Sequence, residues 1–244
     1  MRLLVLGGTS AIAQSAARNF AADRADILLV GRNQAGLDSV RGDLLVRGAR
    51  SVTTLVADLG DVQGHPGLIE RAIKELGGLD AVLIAHGSLP DPKLAHRSVE
   101  VALREFQVNA VSYVSLLTLL ANELESRRAG CIAVISSVAG ERGRGSNYLY
   151  GAAKAAVTAF SGGLRARLHA SGVRVVTIKP GLIDTPMTAS FKKGPLFVGP
   201  EVVGRRIYEA MLKGEDVVYT PGFWAPIMLA IRLIPERIFK RLPL

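Results

Sequence analysis

Cysteine is almost missing: Cys131 is the only one in 244 residues. That excludes a disulfide framework and a cysteine-based metal cluster, and it suits a reducing compartment. No run of about 18 apolar residues occurs, so no transmembrane helix is expected. Aromatic residues are scarce, at 5% of the chain, and do not interleave with the basic ones, which speaks against a nucleic-acid surface. No Gly-x-Ser-x-Gly elbow is found, and His65, His86, His96 and His169 fit no nucleophile or metal-ligand spacing. Serine hydrolase chemistry and a metal site are therefore not expected. The opening MRLLVLGGTS has an apolar stretch too short for a secretory signal and reads as a first strand, which makes the cytoplasm the expected location.

What is present is apolar and basic. Hydrophobic residues make up 49% of the chain, with a mean hydropathy of +0.28, so a folded core is expected. Thirty Lys and Arg against 21 Asp and Glu give a net charge of +9, which suits a phosphorylated ligand or an anionic membrane surface.

Short β-rich apolar runs recur at RLLVL (2–6), DILLVG (26–31), SVTTLVA (51–57), DAVLIA (80–85), GCIAVIS (130–136), VRVVTIK (173–179) and DVVYT (216–220), separated by segments of helical period. Strands that read as continuous apolar runs are buried on both faces, and their alternation with helices builds a parallel sheet. The expected fold is α/β: a single-domain, Rossmann-type doubly wound sheet over residues 1–220, with an apolar and basic tail over 221–244 packed on it or extending from it. Residues 185–200 read as a loop over the site.

The first strand runs into VLGGTSAIAQ, where glycines open a helix and free backbone N–H groups favour a pyrophosphate. Ala11 and Ala13 stand where the dinucleotide fingerprint wants glycines, and Thr9 and Ser10 add hydroxyls. The second strand ends at Gly31 and Arg32, which provides no carboxylate for a free ribose hydroxyl and a guanidinium suited to a 2′-phosphate. NADP is the expected cofactor. Asp58 is suited either to accept from the adenine amino group or to cap the next turn.

The fifth strand ends at Ser136 and Ser137, and a glycine-rich stretch leads to NYLYGAAKAA. Tyr150 and Lys154 then stand one helical turn apart on one face. An ammonium beside a phenol favours the phenolate and brings the tyrosine toward neutral pH as an acid or base. Tyr148 has Ala152, not a lysine, four residues on. His86 reads as a hydrogen-bonded structural residue.

Ser137, Tyr150, Lys154, Asn109 in FQVNAVS, the Gly7 turn, Asp58 and KPGLIDT (179–185) together resemble the short-chain dehydrogenase/reductase family across essentially the whole chain. The resemblance implies that Tyr150 is the general acid/base, that Ser137 bonds the substrate oxygen, that Lys154 holds the nicotinamide ribose, and that Asn109 supports a proton relay. It also implies a cofactor set of Gly7, Thr9, Ser10, Ala11, Ile12, Arg32, Asp58, Leu59, Ala85, Gly87, Tyr150, Lys154, Pro180, Gly181, Ile183 and Thr185, and a homo-oligomer, dimer or tetramer. IAHG (84–87) departs from the usual Asn-Asn-Ala-Gly.

IAHGSLPD, SSVAGERGR, PMTASFKKGPLF and the tail WAPIMLAIRLIPERIFKRL look like the branch that contains the decaprenylphosphoryl 2-keto-erythro-pentose reductases. That likeness implies a ketoreductase acting on a polyprenyl-phosphate-linked 2-keto pentose after a flavin-dependent oxidase, and peripheral contact with the inner face of a membrane. Arg142, Arg144, Lys192 and Lys193 are candidates to meet a lipid phosphate. The alternatives are the same chemistry on a small soluble carbonyl or alcohol, and a non-catalytic NADP-binding protein.

Overall fold

The computed structural model describes residues 1–89 and 91–242. Pro90, in the IAHGSLPD stretch, and Pro243 and Leu244, at the end of the tail, lie outside the described residues. The seven apolar runs form seven strands: β1 (Arg2–Leu6), β2 (Asp26–Gly31), β3 (Ser51–Val56), β4 (Ala81–Ile84), β5 (Cys131–Ile135), β6 (Arg174–Pro180) and β7 (Val217–Thr220). They make one parallel sheet in the order β3-β2-β1-β4-β5-β6-β7. The helices are α1 (Ala11–Ala22), α2 (Gln34–Val46), α3 (His65–Leu76), α4 (Pro92–Ala95), α5 (Val99–Phe106), α6 (Ser112–Arg127), α7 (Tyr148–Leu168), α8 (Pro200–Lys213), α9 (Trp224–Leu233) and α10 (Glu236–Phe239).

Successive strand residues point to opposite faces, and both faces are covered. Leu3 and Val5 of β1 pack with Phe20 of α1, Leu37 of α2 and Ile207 of α8, whereas Leu4 and Leu6 pack with Ile69 of α3, Leu116 of α6 and Val157 of α7. This explains why the strands read as unbroken apolar runs. α1 and α8 are held together closely: a Cβ at Gly204 would stand 2.3 Å from Ser15 Oγ. Ala13 on α1 is itself fully buried in the same core.

The strand order reverses between β1 and β4, where the crossover helices leave on opposite faces and open a crevice at the carboxyl edge. The tail does not project away from the sheet. Trp224 and Met228 of α9 turn inward onto Val138, Leu182 and Tyr219. Arg142 then clasps the end of the helix, donating to the carbonyls of Ile231 and Ile234 at 2.6 Å each, pairing with Glu236 at 3.0 Å and covering the ring of Phe239 at 3.7 Å.

Candidate active site

At the switch point the chain leaves β1 into Gly7, whose φ is +94° and whose Cβ, if present, would stand 2.6 Å from His86 N. Both the left-handed backbone and the close approach of the loop after β4 require glycine there. Ser10 takes the N-cap position of α1 without a side-chain capping bond, and no acidic residue occupies the first turn. The N–H groups of that turn are free to meet an anion. This helix start opens onto a cleft of about 500 Å³.

Of the expected cofactor residues, Gly7, Thr9, Ser10, Ala11, Ile12, Arg32, Asp58, Leu59, Ala85, Gly87 and Thr185 line this cleft. Pro180, Gly181 and Ile183 do not; Ile183 is buried in the core, and Gly181 lies under Trp224. Tyr150 and Lys154 stand outside the cleft wall as well. Asp58 caps its own turn, accepting from Gly60 N–H at 2.9 Å, and also lines the cleft, so both readings of it have a structural basis. Thr185, Pro186 and Met187 of the loop after β6 close one side. The donor set fits a phosphorylated dinucleotide: a bare helix N-terminus for a pyrophosphate, a glycine cradle with no room for a Cβ, and a guanidinium at the rim.

His86 also lines the cleft, as do Ser88 and, from α5, Arg104 and Glu105, three residues that were not singled out by the sequence. A π turn, Gln107–Val111, joins α5 to α6 and carries the buried Asn109. Asn109 is buried; its Oδ1 accepts from Ser88 N–H at 3.1 Å, and its Nδ2 donates to the Glu105 carbonyl at 3.1 Å. A Cβ at Gly87 would stand 2.8 Å from Asn109 Oδ1. No fixed spacing in the sequence signals that α5 reaches the cleft.

Ser137, Tyr150 and Lys154 assemble where β5 meets α7. The turn Val138–Glu141 lies directly on α7, because a Cβ at Gly140 would stand 2.7 Å from Ala155 N. Ser136 Oγ donates to the Lys154 carbonyl at 2.9 Å and fastens the strand end to the helix. The Ser137 hydroxyl reaches Tyr150 and draws its pKa down, but burial wins and pushes the phenol up to about 12. Lys154 is buried and its pKa is brought down to about 7 by desolvation. Its Nζ donates to the Ile135 carbonyl at 3.0 Å and to Tyr113 Oη at 3.4 Å, and stands 5.7 Å from the Tyr150 ring centre.

This corrects the expectation that the ammonium brings the tyrosine toward neutral pH. At that distance, committed to a carbonyl and a second phenol, the amine does not offset the burial of Tyr150. Burial raises the Tyr150 phenol and lowers the Lys154 amine, each away from its charged form.

His86 has a structural role. Ser112 Oγ donates to the Val108 carbonyl at 2.7 Å, so it accepts from His86 Nε2–H at 2.8 Å. The ring stacks on Tyr113, and burial lowers its pKa to about 3, which keeps it neutral. Tyr148 stacks on His96, away from the lysine. Two of the four cations considered for a phosphate are committed elsewhere: Arg142 to the tail, and Lys193 to Asp184 at 2.7 Å and the Thr188 carbonyl at 2.9 Å. Arg144 is half-buried with its pKa lowered by desolvation, and it makes no ion pair among the described residues.

A family profile described as short chain dehydrogenase matches residues 2–195. An uncharacterized oxidoreductase of Mycobacterium tuberculosis is 35% identical over 241 residues, covering 99% of this chain and 96% of that protein. An uncharacterized oxidoreductase of Streptomyces coelicolor is 33% identical over 241 residues, covering 98% and 95%. A solved structure described as a short chain dehydrogenase/reductase family protein superposes with a TM-score of 0.79 at 24% identity, covering 90% of this chain and 94% of that one, which is a likeness of fold. With a parallel sheet that opens a dinucleotide-shaped cleft at its switch point, and relatives that match from end to end, the chain belongs to the short-chain dehydrogenase/reductase family and is an oxidoreductase of the kind that uses NAD(P).

Proposed function

We propose that the protein is an NADPH-dependent ketoreductase that reduces a keto group to a secondary alcohol on a polyprenyl-phosphate-linked 2-keto pentose. It would be the reductase half of a two-enzyme epimerisation, with a flavin-dependent oxidase making the ketone. The observation that supports an acid/base role is geometric: Ser137 and Tyr150 stand together where β5 meets α7, and burial raises the phenol so that it carries its proton as a reduction requires. A reduction needs that proton in place; an oxidation needs it gone.

NADPH, held by the Gly7 turn and Arg32, would supply the hydride for the new C–H bond. Ser137 donates a hydrogen bond to the carbonyl oxygen and orients it. Tyr150 transfers its proton to that oxygen as negative charge develops, so the C=O bond becomes C–OH. In this reading Lys154 holds the nicotinamide ribose, and Asn109, which holds the Gly87–Ser88 turn, supports the proton relay. Arg32 at the rim of the cleft supports the 2′-phosphate and hence NADPH over NADH. Arg144, unpaired and partly desolvated between the catalytic serine and tyrosine in the chain, supports an anionic substrate.

The test is NADPH oxidation with candidate keto sugars, offered with the polyprenyl phosphate and as free sugars. Turnover that falls sharply on removing the lipid phosphate is expected, because binding energy from the remote group contributes to catalysis. Equal turnover of the free keto sugar would assign a small soluble substrate instead.

A further inference from the structure

The tail leaves an apolar helix face uncovered among the described residues. α9 is apolar nearly all round, as is a helix buried on every side. Trp224 and Met228 take the inner face, whereas Leu229 is 58% and Leu233 73% exposed, and Phe223 at the start of the helix is exposed with them. On the short α10, Ile238 is 55% exposed although Phe239 beside it is buried. A spacing of four residues puts Leu229 and Leu233 on one stripe, and Phe223 adds an exposed ring at the helix start. Water is an unfavourable neighbour for such a stripe.

The charges around it have one sign. Arg232, Arg237, Lys240 and Arg241 are exposed, and Glu236, the one carboxylate between Trp224 and Leu242, is paired with Arg142. We propose that this face rests on an anionic lipid bilayer, with the leucines among the acyl chains and the cations at the headgroups. A second copy of the chain is a poorer occupant, because a two-fold contact would set the same cations against one another. Spanning is excluded for α9: ten residues make a helix of about 15 Å, half the hydrocarbon thickness.

The sheet gives the surface its consequence. β5, β6 and β7 run parallel, so Ser137, the loop after β6 and α9 all leave the same carboxyl edge. Attachment through α9 therefore holds the mouth of the site near the headgroups. The usefulness of that position to a lipid-linked ketone rests on the proposed substrate; the surface itself does not.

The experiment is co-sedimentation of the full chain with vesicles of phosphatidylcholine alone and of phosphatidylcholine mixed with phosphatidylglycerol. Binding to the mixed vesicles, weaker on the neutral ones and weaker in high salt, is expected. Leu229→Ser with Leu233→Ser, and separately Arg237→Glu with Lys240→Glu, should each lower partitioning at least about tenfold while dinucleotide affinity stays unchanged. These side chains face solvent, so the unaltered dinucleotide titration certifies the fold. No binding of the wild type to mixed vesicles overturns the proposal, and so does undiminished binding by the double leucine variant. If the leucine variant instead turns a dimer into a monomer at unchanged vesicle binding, the stripe is a subunit contact. Vesicle binding retained alongside full turnover of a free keto sugar would remove the substrate reading and leave the membrane surface standing.

Discussion

The indole of Trp224 lies so close over Gly181 that a Cβ at position 181 would stand 1.8 Å from its nitrogen. This contact seats α9 on the strand end next to the catalytic turn, and the inner face of the helix closes over Val138, the residue after Ser137.

Gly181→Ala should therefore unseat the tail. Overpacking of this kind costs about 1–3 kcal/mol, and the indole cannot give way without lifting α9. Trp224 is the only tryptophan. Its emission should shift to the red in the variant, and the denaturant midpoint should fall. An unchanged emission maximum with an unchanged midpoint would show that the helix is not seated there.

Lys154 opposes stability in order to serve the site. Its folded pKa of about 7 lies below the ordinary 10.5, so between those values the unfolded chain holds a proton that the folded one lacks. Stability must rise with pH across that window, and the penalty of burial is fully present below it. Lys154→Met should raise the melting temperature at pH 6, by about 2–4 °C for each kcal/mol relieved, and by less at pH 9, while turnover is lost. Melting curves at the two pH values check this. A lower melting temperature at pH 6 would show that the amine stabilises the fold.

Tyr150→Phe should nearly abolish turnover while the dinucleotide still binds, because the ring keeps its packing and only the proton is removed. With the phenol at about 12, ketone reduction by the wild type should not fall through deprotonation of this group below pH 9, whereas alcohol oxidation should climb with pH. Rate profiles in both directions decide it; a reductive rate that falls through a group near pH 7 would place the proton elsewhere.

Arg32→Asp should weaken NADPH binding by about 2 kcal/mol or more, through loss of a charge-assisted contact and gain of repulsion, and should affect NADH less. Titration of wild type and variant with both cofactors measures it. Equal wild-type affinity for NADH and NADPH would dismiss the phosphate role.

Much of this was legible in the order of residues because it rests on local chemistry. A strand buried on both faces must be apolar throughout, so LLVL, ILLVG and CIAVI announced their strands. A helix turn brings residues four apart together, so Tyr150 and Lys154 announced a shared face, and Gly7 and Arg32 announced the ends of β1 and β2. Tertiary structure decided what depends on partners far away in the chain. Arg142 looked available for a phosphate until Ile231, Ile234 and Glu236 arrived to occupy it. Glu105 and Arg104 line the cleft because the fold brings α5 beside the ends of β1, β2 and β4, which no local spacing announces. The raised pKa of Tyr150 follows from desolvation of its phenol by neighbours from separate parts of the chain, a sum that no local spacing encodes.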